Sequence, residues 1–367
     1  MRKAIIMLFT LLAVLLSACS TVQTGNVVAG QQQTVKIGVI MPLTGDLAFV
    51  GQTVKNSIEM AVSELNNTKY KYEVIYEDDA LNPKLTATAA QKLTAIDHVD
   101  ALVSLSSGSG NVVAPIAKDN KIIHIGIASD GTIADDKYNF LHYTSPSQEA
   151  KAWIAEAQRR GYKRIAILTV NQQGEIAIAD QVKQNATGTN ISVVYESIFN
   201  FGDTDFRTTL LKAQQANPDI YMLLAFSPEI DLLYKQLKEQ GITATVSSIE
   251  CFELSNNPGQ FEGLWYVNAA DSSNTFINAY TTKYGKAPAF AAGNGYDILN
   301  MLVYSYETAG TDPSVKPTNE QVSHVLQSLH DFHGALGTLS TGTDGIVKSP
   351  ASVRIIKDGK PVTMEAP

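Results

Sequence analysis

Most of this chain alternates between short β-rich segments and longer segments with helical periodicity. The pattern begins at the β-rich residues 35–40, which precede a predicted helix over residues 51–66. Further predicted strands, separated by predicted helices, lie at residues 72–76, 101–105 and 122–127. Strands that alternate with helices of about 10–15 residues form right-handed βαβ units around a parallel sheet. This part of the chain therefore predicts one α/β lobe.

The same alternation restarts after Pro146. Predicted strands at residues 164–170, 191–197, 220–226 and 243–248 are again separated by predicted helices. Each array is long enough to bury a core of its own. The sequence therefore predicts two doubly wound lobes rather than one extended sheet.

The first 34 residues predict export from the cytoplasm rather than part of a lobe. Arg2 and Lys3 precede an apolar run that ends at Leu16, and Ser17 and Ala18 follow as small residues. A basic start, an apolar core of about 7–15 residues and a small-residue cleavage site are typical of a secretory signal. The alternative is an uncleaved membrane anchor, but the run is shorter than the ~20 residues that span a bilayer.

Cys19 makes this signal more specific, because Leu16-Ser17-Ala18-Cys19 resembles the bacterial lipobox. The resemblance implies that residues 1–18 are a signal peptide, that Cys19 is lipidated and that the uncharged residues 19–34 tether the protein to the membrane. Several acyl chains hold a protein firmly on a membrane, whereas one does so only marginally. If Cys19 is lipidated, Cys251 is the sole remaining thiol, which excludes a disulfide framework and a cysteine metal site.

The charge and the motifs argue against nucleic-acid binding and catalysis. The formal net charge of −8 becomes about −10 once Arg2 and Lys3 leave with the signal, and an acidic surface is poorly suited to nucleic acid. The sequence has no Gly-x-Ser-x-Gly elbow, no His-Glu-x-x-His and no Walker A pattern. Its six histidines are not spaced as metal ligands. We therefore expect neither an enzyme nor a protein with a metal or a cofactor.

Several segments together resemble the branched-chain amino acid binding proteins, which are type I periplasmic binding proteins of ABC importers. None of the motifs is specific alone, and their order and spacing over about residues 35–360 carry the resemblance. The matching segments are the opening strand and Thr-Gly turn at residues 36–45, the helix start Gly51-Gln52, the acidic strand end Tyr76-Glu77-Asp78-Asp79, the helix start Asn82-Pro83, and Tyr296-Asp297 before an apolar helix.

The resemblance implies an α/β fold of two Rossmann-like lobes that are joined by a three-strand hinge and close on a ligand like a Venus flytrap. The third strand of the hinge is expected near residues 336–340. The implied N-lobe comprises residues 35–143 with 271–337, and the implied C-lobe residues 147–267 with 341–367. Open α/β sheets bind ligands at the carboxyl ends of their strands. The cleft between the lobes is therefore the expected binding site.

Small and hydroxyl residues after two strands form the N-lobe half of the candidate site. Ser107 and Gly108 lie between a buried strand and a helix that is predicted to start at residue 112, where hydroxyl and N–H groups suit an anion such as a carboxylate. From spacing alone, a plain helix-capping turn is an equal alternative. The resemblance matches Ser107 to the carboxylate-binding serine of the family, and Ala128 and Ser129 to the residues that hold the two ends of the amino acid.

The C-lobe half of the candidate site rests more heavily on the resemblance. Glu250 matches the acidic residue that receives the ligand's α-ammonium, although without the family it reads as a surface acid. Phe226 matches an aromatic contact, with a core position as the alternative. Gln173 stands where the family often has an aromatic residue. Phe49 and Val50 are predicted to line the side-chain pocket, and this apolar loop favours an aliphatic or uncharged ligand.

The predicted function is that of a solute-binding lipoprotein outside the cytoplasm. It would capture a small polar ligand, an amino acid or a related solute, and deliver it to the permease subunits of an ABC importer. The alternative is a ligand sensor or a regulator of the cell envelope, in which the same fold carries a degenerate cleft.

Overall fold

The computed structural model describes residues 32–135 and 137–364. Its first lobe is built on parallel strands. The predicted signal peptide and nearly all of the tether lie outside the described residues. The elements of this first segment are, in chain order, β1 (Thr34–Met41), α1 (Ala48–Glu64), β2 (Lys71–Asp78), α2 (Pro83–Ala95), β3 (Ala101–Leu105), α3 (Ser107–Asn120), β4 (Ile123–Ile127) and β5 (Asn139–His142).

The second lobe repeats this arrangement. Its four-stranded parallel sheet has the order β7-β6-β8-β9, and a bridge between Ile249 and Val267 extends the sheet to the next strand, β10. The elements of this segment are α4 (Pro146–Arg159), β6 (Arg164–Val170), α5 (Gln173–Ala186), β7 (Ser192–Phe199), α6 (Arg207–Gln215), β8 (Ile220–Leu224), α7 (Glu229–Glu239), β9 (Thr245–Ser247) and β10 (Trp265–Ala269).

The last segment returns to the first lobe and then completes the second. Its β14 and β15 pair antiparallel across the two-residue turn Asp358-Gly359, and β14 also pairs antiparallel with β10. The elements are α8 (Asn274–Tyr284), α9 (Ala292–Ala309), α10 (Asn319–Gln327), β11 (Phe332–Gly334), β12 (Gly337–Leu339), β13 (Ile346–Val347), β14 (Ala351–Lys357) and β15 (Lys360–Thr363).

The N-lobe sheet is covered on both faces. Val39 of β1 packs in the same apolar cluster as Val54 of α1 and Leu302 of α9. On the opposite face, Ile40 packs in a cluster with Leu93 of α2. Parallel strands buried on both faces need a nearly continuous apolar sequence, which β1, β3 and β4 have. None of the described helices is long and apolar enough to cross a membrane.

The strand orders confirm two doubly wound lobes. The N-lobe sheet has the order β13-β5-β4-β3-β1-β2, and both sheets contain the order second-first-third-fourth in sequence. In such sheets the connections leave β1 and β3, and likewise β6 and β8, towards opposite faces. The place between two such strands is the topological switch point of the sheet, and a crevice opens there, outside the carboxyl ends of the strands. The crevices of the two lobes face each other.

The hinge differs from the sequence expectation at its third strand. Ile346 and Val347 of β13 pair in parallel with Leu141 and His142 of β5, so this segment belongs to the N-lobe sheet. The third crossing therefore follows Val347 and does not lie near residues 336–340, and the predicted C-lobe boundary at residue 341 was too early. A strand of two residues is too short to show a periodicity.

Candidate functional site

A cavity of about 250 Å³ lies between the lobes at the switch points of both sheets. The segments after β1, β3 and β4 form its N-lobe wall, and the segments after β6, β8 and β9 form its C-lobe wall. Most of the wall is apolar, with Leu47, Leu105 and Leu254 beside the rings of Phe226 and Phe290. No lysine, arginine or histidine is among the described residues that line it.

The first turn of α3 lies in the N-lobe wall and presents hydrogen-bond donors of a kind that suits an anion, and we call it the anion cradle. The helix begins at Ser107 and not at residue 112, so Ser107 and Gly108 are helical. The Ser107 oxygen accepts hydrogen bonds from the backbone N–H groups of Ser129 and Asp130, both at 3.1 Å. Its own O–H is therefore left to donate into the cavity. The first N–H groups of a helix have no acceptor within it, and they suit the same anion.

Ser106 turns the chain sharply from β3 into this cradle. Its φ of 101° and ψ of 153° lie in a region that is almost confined to glycine. The conformation is held by hydrogen bonds from the Ser106 N–H to the Ile127 carbonyl and from the Ser109 N–H to the Ser106 hydroxyl. The buried Asp79 accepts a 2.6 Å hydrogen bond from the Ser109 hydroxyl. The strained turn thus brings the start of α3 to the cavity.

The first turn of α5 faces that of α3 across the cleft. Gln172, Gln173, Gly174 and Glu175 line the cavity from the C-lobe side. A Cβ atom added to Gly174 would lie 3.1 Å from the Ser107 hydroxyl oxygen. The two lobes are therefore in close contact here, and the partial positive charges of two helix N-termini converge on one place.

Glu250 enters the cavity from the end of the C-lobe sheet. Its φ of 62° and ψ of −44° are those of a γ-turn, and the Cys251 N–H closes this turn on the Ile249 carbonyl at 2.7 Å. Its own N–H donates to the Val267 carbonyl, also at 2.7 Å. The carboxylate accepts a 3.3 Å hydrogen bond from the Ser129 hydroxyl of the other lobe. Glu250 is therefore buried at the junction of the lobes.

Three buried carboxyl groups make this region electrostatically unusual. Burial, followed by the charge of Glu250, raises the pKa of Glu175 to about 8. The same two causes raise the pKa of Glu149 on α4 well above its usual value. Burial also raises the pKa of Glu250 itself. A region with this much buried acidity favours a cationic group over an anionic one.

Tyr143 adds a hydroxyl group to the same end of the cavity. It follows β5, lines the cavity and is almost completely buried. Its oxygen has no hydrogen-bond partner among the described residues. Burial and the charges of Glu250 and Glu149 raise its pKa well above the usual value, so this group is a neutral O–H donor. A buried donor without an acceptor is available to a ligand.

Seven of the eight residues predicted for the site line the cavity, and Phe49 does not. The seven are Ser107, Gly108, Ala128, Ser129, Glu250, Phe226 and Val50. Phe49 lies instead in a neighbouring surface depression, with Pro258 and Pro288. The segment predicted to be a loop is the first turn of α1, and successive residues of a helix point about 100° apart. Val50 therefore points into the cavity and Phe49 away from it.

Sequence reasoning missed three polar groups of the site. Glu175 lies two residues after Gln173, which the resemblance did single out, and an acid directly after a glycine at a helix start was the available signal. Tyr143 follows β5, which was not predicted as a strand. Glu149 occupies the first turn of a predicted helix, where an acid is ordinarily solvated, and nothing in the sequence indicated its burial.

Comparisons with known proteins agree with the two-lobed fold. The Leu/Ile/Val-binding protein homolog 3 of Brucella melitensis is 27% identical, and the match covers 96% of this chain and 99% of the relative. A leucine-binding protein LivK from Thermotoga maritima superimposes with a TM-score of 0.83 at 24% identity, covering 90% of this chain and 98% of that one. A solute-binding protein from Rhodopseudomonas palustris in complex with benzoate gives 0.80 at 17% identity, with 90% and 95% covered.

The match to a family model is wider than any single motif. The model of the periplasmic binding proteins matches residues 34–360, which include both lobes and every residue that lines the cavity. The members of this family bind solutes rather than catalyse reactions, and membership implies a location outside the cytoplasm. The chain belongs to the periplasmic binding protein family.

Proposed function

We propose that this protein binds an α-amino acid with an apolar side chain and delivers it to the permease of an ABC importer. The observation that carries the proposal is the placement of an anion cradle at Ser107 and a buried carboxylate at Glu250 on opposite walls of one cavity. An α-amino acid carries a carboxylate and an ammonium on adjacent atoms, and it requires these two partners. The apolar walls, with Leu47 and Phe226, suit an apolar side chain.

Aromatic acids are a second ligand class, since a structural neighbour was solved with benzoate. An aromatic acid supplies a carboxylate for the cradle at Ser107, but it supplies no cation. Glu250 would then be buried beside Glu175 without a positive partner, which is costly in an enclosed site. The acidity of the C-lobe wall therefore favours an amino acid.

A ligand screen tests this proposal through the two charged ends of the ligand. We would measure thermal unfolding with leucine and other amino acids, with benzoate, with 4-methylpentanoate, which lacks the ammonium, and with 3-methylbutylamine, which lacks the carboxylate. Leucine at about a thousandfold excess over its dissociation constant should stabilise the protein by about 4 kcal/mol, and the two analogues should have little effect. Equal stabilisation by 4-methylpentanoate or by benzoate would exclude an ammonium site. No response to any amino acid would favour the sensor or regulator with a degenerate cleft.

We also propose that a lipid on Cys19 anchors the protein to the cell membrane. Cys19 lies outside the described residues, and the support for this proposal is the sequence Leu16-Ser17-Ala18-Cys19 after an apolar run. Replacing Cys19 with serine should leave the precursor unprocessed or release the protein from the membrane fraction. Wild-type migration and fractionation of the variant would contradict the proposal.

A further inference from the structure

Glu149 is a buried carboxyl group that the proposed binding mode does not use. It belongs to the first turn of α4, it is completely buried and it does not line the cavity. Neither of its oxygens accepts a hydrogen bond from an N–H or O–H group of the described residues. The carboxyl group within hydrogen-bonding reach is that of Glu250. An ionised Glu149 here would be a buried charge beside a like charge.

The neighbouring groups do not neutralise Glu149. Among the described residues, Arg354 of β14 is the only cation that acts on Glu149, and its guanidinium is already engaged by Glu253 at 2.9 Å and by Asp271 at 2.6 Å. The groups that face the pair from the other elements are acids or neutral donors. These are Tyr143 after β5, Ser129 after β4, Glu253 after β9 and Glu175 on α5.

One proton held by Glu149 and Glu250 removes the repulsion between two buried like charges. The hydrogen-bond donors around the pair indicate which carboxyl group carries this proton. Two adjacent buried carboxylates cannot both ionise without a large cost, so the pair holds one proton. Glu250 already accepts a hydrogen bond from the Ser129 hydroxyl, and this donor stabilises the ionised form of Glu250. Glu149 has no such donor. The proton therefore resides on Glu149.

We propose that Glu149 is protonated and acts as a positioning residue, whose O–H donates to Glu250 and holds that carboxylate towards the cavity. This inference rests on the proposed function in one respect, which is that Glu250 receives the ammonium of the ligand. A ligand reaches Glu250 but not Glu149, because only Glu250 lines the cavity. Glu149 thus sets the geometry of the ammonium site without touching the ligand.

Two substitutions at Glu149 distinguish a protonated side chain that donates a hydrogen bond from an ionised side chain. In E149Q the amide donates the same hydrogen bond permanently, so the affinity for the amino acid at pH 7 should stay within about threefold of wild type. In E149L the donor is lost, and the affinity should fall by about tenfold or more. Isothermal titration of the full-length protein in mild detergent measures both. A loss in E149Q as large as that in E149L would overturn the proposal.

An infrared difference spectrum tests the proton without any ligand. The spectrum of wild type minus E149Q at pH 7 should contain the C=O stretching band of a protonated carboxylic acid, and unfolding in denaturant should abolish it. Absence of this band would overturn the inference even if amino acids bind. If the band is present but no amino acid binds, the proposed function fails while the protonated Glu149 stands. The two hypotheses are therefore distinguishable.

Discussion

Glu250 owes its place in the cleft to its backbone. A non-glycine residue with a φ of 62° is uncommon, and such strained conformations cost about 1–3 kcal/mol each. The hydrogen bonds made by the Cys251 and Glu250 N–H groups hold the chain in this conformation. Residues with such strain cluster at functional sites. The position of Glu250 is thus fixed before any ligand arrives.

Removal of the Glu250 charge should weaken binding without weakening the fold. Glu250→Gln keeps the shape and the bond from Ser129, but it leaves an ammonium without an ionic partner. Losing one partner of a buried charge pair costs about 2–5 kcal/mol, so the affinity should fall by about 30-fold to several thousandfold. Calorimetric titration measures this fall, and Glu239→Gln on the exposed end of α7 is the matched control. Equal affinities would remove Glu250 from the site.

Glu175 should make stability depend on pH. Its pKa is about 8 in the folded protein and 4.5 in a model peptide, so the folded state binds more protons than the unfolded state between these values. The free energy of unfolding should therefore fall as the pH rises from about 4.5 to 8, by at most about 1.4 kcal/mol per pH unit for this group. Glu175→Gln should flatten that part of the profile. Chemical denaturation at several pH values tests it, and parallel profiles would contradict it.

At the scale of elements, periodic segments were predictable and irregular ones were not. β3 and β6 have the predicted bounds, because each is a clear apolar run. α3 begins five residues earlier than predicted, since Ser107, Gly108, Ser109 and Gly110 are weak helix formers whose helical state depends on tertiary contacts. The short β5 and β13 carried no periodic signal. The sequence therefore predicted that Ser107 and Gly108 lie at the cavity, but it did not predict that they are helical.

The close approach of α3 and α5 predicts different results for two glycines at corresponding positions. A Cβ at Gly174 would press on the Ser107 hydroxyl at 3.1 Å, whereas a Cβ at Gly108 would make ordinary contacts at 3.6 Å with Gln172 and Gln173. Crowding typically costs about 1–3 kcal/mol, so Gly174→Ala should lower the affinity by about tenfold or more. Gly108→Ala should change it by no more than about threefold. Titration of both variants tests this contrast, which equal effects would refute.

At the scale of the whole molecule, the chain crosses between the lobes after β5, after β10 and after β13, and these three crossings form one connected hinge. The Thr144 hydroxyl lies 2.8 Å from the Ser349 hydroxyl, and the Ala270 N–H donates to the Pro350 carbonyl at 2.7 Å. Ser107 and Glu250, by contrast, are far apart in sequence and belong to different lobes. Local patterns do not bring such residues together, and only the resemblance to a family placed both in one cleft. The hinge was the part of the prediction that needed the most correction.

Such a hinge should let the lobes separate in solution. The described arrangement is closed, with Ser129 bonded to Glu250 across the cleft. Small-angle scattering from the chain after residue 31 should give a radius of gyration near the roughly 20 Å of a compact protein of this size at saturating ligand. Without ligand the value should be larger, because the lobes open. Identical profiles in the two conditions would indicate a rigid cleft.

The bond between Ser129 and Glu250 also affects the kinetics of capture. Both partners belong to the protein, so this contact is available to any closed molecule and does not depend on what the cleft contains. A fraction of the molecules can then close spontaneously, and each of these must reopen before it admits a ligand. The apparent affinity is therefore the intrinsic affinity multiplied by the fraction of molecules that are open. In stopped-flow mixing, a slow phase of association should level off at high ligand concentration, at the rate of opening. Replacing Ser129 with alanine should raise that plateau.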